Sequence, residues 1–333
     1  MRPAACLVLA AAFAACLTVR SPAPAARPPA GATATAPLDS SAAREKPDSL
    51  PPLPGESAAA PATGTSDPPK ELPRGGRVLF PAHRLVGFCG TPGAPALGEL
   101  QGNLAAKAKE LETQAAHYAQ GRTLLPVFEL IAVVVQSGAG PDGKYRRRVD
   151  DSIVDDYLRQ ARRSKGLLLL NIQPGHSDFL TEVRSFEKYL QEPDVGVALD
   201  PEWAMKAKQR PGVFYGQTTG ETINDVAGYL SSLIAQGNLP EKALVFHQVN
   251  RDVLKDESVM TSHPGVAIIK SVDGLGYVHA KIVTYGSLME TMVKGVHPGF
   301  KLFFDEDTRN GSRLMTPKEV LALSPQPEYV LYE

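Results

Sequence analysis

From about Pro81 to the end of the chain, short apolar runs alternate eight times with longer amphipathic stretches, and few folds accept such a rhythm. The apolar runs cover residues 85–89, 125–135, 167–173, 195–200, 243–248, 266–270, 300–304 and 329–332. The spacing between them predicts helices over 97–120, 151–164, 179–191, 220–236, 281–294 and 317–323. Asp178, Thr218-Thr219 and Thr316-Pro317 supply start signals, because side-chain oxygens there can accept the orphan N–H groups of a first turn. Eight strands with crossovers in roughly 250 residues match a (β/α)8 TIM-type barrel, and near-continuous apolar strands suit a parallel sheet covered by helices. The competing open doubly wound sheet would carry a glycine-rich cofactor loop after its first strand, where Phe88-Cys89-Gly90-Thr91-Pro92-Gly93 stands instead. A helix after strand eight is lacking unless residues 70–83 cover its place.

The N-terminal part reads differently. Arg2 precedes an uncharged apolar run over residues 4–17, long enough for a signal peptide and short for a membrane span of roughly 20 residues. The expectation is a signal peptide over 1–20 and an exported protein. Phe13-Ala14-Ala15-Cys16 resembles a bacterial lipobox, which implies a lipidated Cys16 and a membrane contact through acyl chains. Phe13 departs from the usual Leu, Val or Ile at its position, so plain secretion after cleavage near Ala15 stays open. Residues 21–78 read as a disordered Pro/Ala-rich linker: 21–74 hold 13 of the 29 prolines and no aromatic residue, too little apolar surface to fold alone. The barrel then spans 79–333. Across the whole chain 35 basic and 36 acidic residues leave a net charge of -1, so no bulk positive field favours nucleic acid as a partner. Three cysteines, Cys6, Cys16 and Cys89, are too few for a disulfide scaffold or a Cys-rich zinc site.

In a barrel of this kind chemistry sits where strands end, and polar residues recur there. Strand two carries Glu129, strand three ends Asn171-Ile172-Gln173, strand five His247-Gln248, and strand six Lys270 followed by Asp273. Strand four says most. Val195, Val197 and Leu199 share one face, while Gly196, Ala198 and Asp200 share the other, joined by Glu202 if the extended geometry continues past Pro201. Small inward residues suit a crowded interior, and paired carboxyls are useful because repulsion and burial keep one protonated while the other stays ionised. The only tryptophan, Trp203, follows directly and offers a face for a sugar ring. The plainer interpretation is a turn at Asp200-Pro201 with Glu202 capping the next segment.

Leu199-Asp200-Pro201-Glu202-Trp203 resembles the Asp-x-Glu strand-four endings of chitinase-like and lysozyme-like barrel glycoside hydrolases. The resemblance implies Glu202 as general acid and Asp200 as its electrostatic partner. It covers this motif and the eightfold rhythm; the series of spaced aspartates that precedes the chitinase glutamate is absent. The acidic cluster after strand seven resembles retaining glycosidases with an acid/base after strand four and a nucleophile after strand seven, which implies Asp305 as nucleophile or base and Glu306 as its substitute. An extended chain there would place Phe303, Asp305 and Asp307 on one face. Candidate substrate-binding residues are Trp203, Tyr215, Asn171 and Gln173, then His247, Gln248, Lys270 and Asp273, and finally Glu306 and Glu129.

Other signals carry less. Gly138 to Lys144 fits GxxxxGK, but Tyr145 follows where Ser or Thr is needed and Pro141 removes a backbone donor, so it reads as a turn. Arg146-Arg147-Arg148 lies close to Asp150-Asp151 and reads as a solvated loop. His176 and Asp178 lack a third ligand, so no metal or other cofactor is expected. Cys89 reads as a buried thiol. The expectation is an exported, lipid-tethered glycoside hydrolase-like barrel acting on an envelope or extracellular polysaccharide or oligosaccharide. The alternative is a non-catalytic carbohydrate-binding or envelope lipoprotein.

Overall fold

A strand that is apolar on both faces must be paired on both edges and covered by helices, and each of the eight runs meets that demand by parallel pairing. The computed structural model describes residues 70–333; the expected signal peptide, the Cys16 lipobox and residues 21–69 of the expected linker lie outside the described residues. The barrel strands are β1 His83–Gly90, β2 Thr123–Val135, β3 Leu167–Ile172, β4 Val195–Leu199, β5 Lys242–Gln248, β6 Val266–Val272, β7 His297–Leu302 and β8 Tyr329–Tyr332. Leu85 of β1 stands opposite Leu125 of β2 on one side and Tyr329 of β8 on the other, so the sheet closes into an eight-stranded parallel (β/α)8 barrel without a free edge. That closure excludes the open doubly wound sheet.

Around it run α1 Leu104–Ala115, α2 Asp151–Arg163, α3 Phe179–Arg184, α4 Glu187–Leu190, α5 Gly220–Gly237, α6 Val278–Met289 and α7 Pro317–Leu321. The start signals act as side-chain caps: Asp178 accepts the Thr181 N–H at 2.8 Å, Thr219 accepts that of Thr222 at 3.3 Å, and Thr316 with Glu319 forms a capping box. The helix expected over 97–120 begins only at Leu104, because the Asn103 side chain takes the N–H groups of Ala105 and Ala106 at 3.1 Å and fixes the first turn there.

Alternation along each strand separates two cores. Val86, Phe88, Phe128, Leu168, Leu170 and Val197 pack under the helices, whereas Leu85, Leu125, Val127, Leu169, Val245 and Ile269 fill the barrel. Residues 70–80, counted mostly with the linker by sequence, belong to the second group: Leu72, Leu79 and Phe80 are buried with the interior side chains. Arg74 donates to the carbonyls of Leu124 and Ser164, and Arg77 to that of Leu239, each just ahead of or at the start of a strand. The segment therefore seals the amino-terminal mouth and does not stand in for a helix after β8. Tyr332, on the outer face of β8, is covered by Gln114 and Tyr118, which meet its hydroxyl at 2.6 and 2.5 Å. β2 outlasts the barrel and pairs antiparallel with Arg146–Arg148, so that basic run is a strand whose Arg146 and Arg148 grip the buried Glu182 at 2.8 and 2.7 Å.

The interior has no spare room at β4. A Cβ on Gly196 would lie 2.6 Å from the Ala243 carbonyl oxygen and 2.8 Å from Leu169 Cδ2. Gly196→Ala is expected to destabilise the barrel by about 1–3 kcal/mol, the usual cost of overpacking, as read by urea denaturation; an unchanged midpoint would contradict this packing.

Candidate active site

The inward positions turn polar toward the carboxyl ends of the strands. Glu129 of β2, Asn171 of β3, His247 of β5, Ser271 of β6, Lys301 of β7 and Tyr329 of β8 are all buried. His247 is the hub. Its Nε2 donates to Glu129 Oε1 at 3.0 Å and its Nδ1 to Asp273 Oδ2 at 2.9 Å. An ionised carboxylate only accepts, so both ring nitrogens carry hydrogen and the side chain is an imidazolium. Glu129 also accepts from Asn171 Nδ2 at 2.9 Å and from the Tyr329 hydroxyl at 2.5 Å. The Asn171 amide is shared with Asp200 Oδ1 at 3.0 Å, and Gln173 Nε2 donates to Asp200 Oδ2 at 3.1 Å. Asp273 takes the Ser271 hydroxyl at 2.9 Å and faces Lys301 Nζ at 3.2 Å, which reaches Glu333 at 2.6 Å.

Above this network lies the strand-four ending. β4 stops at Leu199, and Pro201 opens a single 3-10 turn, Pro201–Trp203, closed by the Trp203 N–H on the Asp200 carbonyl at 3.0 Å. The extended continuation is thus replaced by a turn, yet Asp200 and Glu202 both line one cavity. From β3 and β4 come Gln173, Asp200 and Glu202; from the ends of β6 to β8 come Asp273, Lys301 and Glu333. Trp203, Tyr215 and Phe303 add aromatic surface. The cavity measures about 70 Å³, and at about 10–15 Å³ per water it is a small pocket floored by the buried network.

Electrostatics distinguish the carboxyls. Burial, then the charges of Asp200 and Asp273, push the Glu202 carboxyl well above its ordinary range, and its Oε2 has no hydrogen-bond partner among the described residues. Burial also raises Asp200, but His247 and Lys301 oppose the rise. Burial works against the charge of Asp273 as well; there His247 and Lys301 win and hold it down at about 2. Glu129 is lowered for the same reason, with His247 outweighing burial. His247 and Lys301 are raised well above their ordinary values, burial being overcome by Asp273 and Glu129 for the first and by Glu333 and Asp273 for the second. Both carboxyls of the strand-four pair are thus raised, Glu202 with no opposing donor at Oε2 and Asp200 against the pull of His247 and Lys301.

The residues expected from sequence fall into three groups. Asp200, Glu202, Trp203, Gln173, Tyr215 and Asp273 line the cavity. Glu129, Asn171 and His247 lie beneath it and reach its walls through hydrogen bonds. Gln248 is buried outside the lining, with its Oε1 unsatisfied. Asp305, Glu306 and Lys270 are elsewhere. β7 ends at Leu302, and Asp307 turns the chain by accepting the Phe303 N–H at 3.0 Å, while its own N–H returns to the Phe303 carbonyl at 3.2 Å. That turn leaves Asp305 exposed and pairs the half-buried Glu306 with Arg309 at 3.0 Å. Lys270 points out of the barrel to Glu257 at 2.6 Å and the Leu288 carbonyl at 2.6 Å. Sequence reasoning missed Lys301, Tyr329 and Ser271; Glu333 stands among the polar strand ends that the sequence offers, without a role of its own. Lys301 leaves a signal, a lone cation inside the apolar β7. Among the described residues no group of three or more His, Cys, Asp or Glu side chains is disposed to hold a metal ion. No protein-family model and no curated protein matches the chain.

Because Asp273 lies at about 2 when folded against 3.8 ordinarily, its contribution is present above about pH 4 and is lost as the pH falls toward about 2. That contribution is roughly 2 kcal/mol. Asp273→Asn, which leaves His247 and Lys301 short of an anion, is expected to cost roughly 3–5 kcal/mol near pH 7 and clearly less near pH 2. Urea denaturation at both pH values checks this, and equal losses would contradict it.

Proposed function

We propose that the protein is an exported glycoside hydrolase acting on an envelope or extracellular polysaccharide, with Glu202 as general acid/base. One observation carries the reading: a proton-bearing carboxyl with an unpartnered oxygen stands in a cavity beside Asp200, whose two oxygens are held by amides. The bond between the anomeric carbon and the bridging oxygen breaks with its electron pair leaving on that oxygen, which takes the Glu202 proton. Positive charge developing at the sugar faces Asp200 and Asp273. Water then adds to the anomeric carbon and gives its proton to the ionised Glu202, restoring the acid. Trp203, Tyr215 and Phe303 supply ring faces for sugar contacts. The apolar segment over 4–17 and Cys16 support export and lipid tethering.

A second reading, a barrel that binds glycans without cleaving them, is favoured by one feature. Asp273 and Glu333 are engaged by His247, Ser271 and Lys301, so neither is a free base. Incubation with a panel of bacterial and plant glycans, with detection of released reducing ends, separates the two. Glu202→Gln is expected to lower turnover about 10²–10⁴-fold while keeping glycan affinity. In the unaltered protein kcat/KM should fall as the pH rises through the elevated Glu202 value, since only the protonated acid acts, and this alkaline limb should vanish in the variant. Turnover unchanged in Glu202→Gln excludes Glu202 as the acid; affinity without turnover in either protein supports the binding-only reading.

A further inference from the structure

The segment that carries Trp203 and Tyr215 into the cavity also carries the most one-sided charge near the mouth. Between Glu202 and Glu221 there is no acidic residue, while Lys206, Lys208 and Arg210 are all exposed. Lys206 reaches only the Gln217 side-chain oxygen, at 2.6 Å, and Lys208 and Arg210 make no ion pair or side-chain hydrogen bond among the described residues. Elsewhere the exposed cations of the loops are largely neutralised, as in Arg251–Glu290, Arg309–Glu306 and Arg313–Glu319.

The loop is fixed to the cavity wall. Gly216 N–H bonds the Glu202 carbonyl at 2.5 Å and Gln217 N–H that of Ala204 at 2.9 Å, so both ends of the lobe start beside the candidate acid. Its far side is tied to the 136–145 loop. His176 Nε2 donates to the Gln209 carbonyl at 2.8 Å, and the His176 N–H to the Lys144 carbonyl at 2.8 Å, which brings the exposed Lys144 to the same rim. An exposed aromatic, Phe214, stands on the lobe next to Tyr215. The pocket itself has the opposite character, with Asp200, Glu202, Asp273 and Glu333 around Lys301.

We infer that the 204–216 lobe is a subsite for an acidic polysaccharide, whose anionic sugars lie along Lys206, Lys208 and Arg210. The inference rests on the glycan reading of the same site and names its substrate class. Cations attract the anionic groups, and the adjoining ring of Phe214 favours a sugar chain over a simple polyanion.

Binding of the full protein to polygalacturonate, dextran and poly-glutamate tests this, using Glu202→Gln to prevent cleavage. Polygalacturonate is expected to bind more tightly than the other two and to weaken severalfold between about 50 and about 300 mM NaCl. Lys208→Ala with Arg210→Ala should lower polygalacturonate affinity about tenfold and leave dextran binding and thermal stability unchanged. Equal binding of poly-glutamate, or polygalacturonate binding indifferent to the double substitution, overturns the subsite. Lobe-dependent polygalacturonate binding without hydrolysis of any glycan by the unaltered protein would sink the hydrolase reading and keep the subsite. Glycan turnover with no preference for acidic polymers would do the reverse.

Discussion

Inside the barrel mouth the carboxyls outnumber the cations. His247 and Lys301 face Glu129, Asp200, Glu202, Asp273 and Glu333 at and beneath the floor of the cavity. A buried charge persists only where donors or an opposite charge replace its water, and here those replacements are rationed. Glu129 and Asp273 share the imidazolium, Glu333 takes Lys301, and Asp200 is held by two amides. Glu202 receives no such donor at Oε2, so it meets the constraint by keeping its proton. Its acidity is a property of the whole network.

The fold supplies the conditions for that network. Parallel strands alternate in direction of side chain, so six of the eight strands turn one inward polar residue toward the shared network, from Glu129 on β2 to Tyr329 on β8, whose hydroxyl reaches Glu129. Leu72, Leu79 and Phe80 close the opposite end with apolar side chains. Burial strengthens every charge interaction above them, which is why Asp273 and Glu129 keep His247 charged despite its complete burial. On the helix side of the strands Lys270 and Lys281 are matched singly with Glu257 and Asp307.

How much of this is legible in the sequence depends on phase. Strand existence is easy to read because barrel strands are apolar throughout, and the eightfold count leads directly to the closed sheet. The same property hides which side chains point inward. Along 266–270 neither face is more apolar than the other, so Lys270 competes with Ser271 and Asp273 for the interior, and the structure turns Lys270 out. β4 escapes the ambiguity because Gly196 and Ala198 mark the crowded face, and Asp200 follows in the same phase. At β7 an extended chain assumed through residue 304 favoured Asp305, whereas the Asp307 carboxylate ends the strand early and leaves Lys301 as the inward polar residue. Local hydrogen bonding of this kind is invisible to periodicity.

The protonation state of Glu202 can be observed directly. With ¹³C-labelled glutamate, and the Glu202 carboxyl resonance assigned by its loss in Glu202→Gln, an NMR titration follows this one group. The resonance should remain that of a neutral acid at neutral pH and titrate well above the ordinary glutamate value of 4.5. A Glu202 carboxyl that ionises at or below that value would show that the buried network does not retain the proton, and the chemistry assigned to the pocket would fall with it.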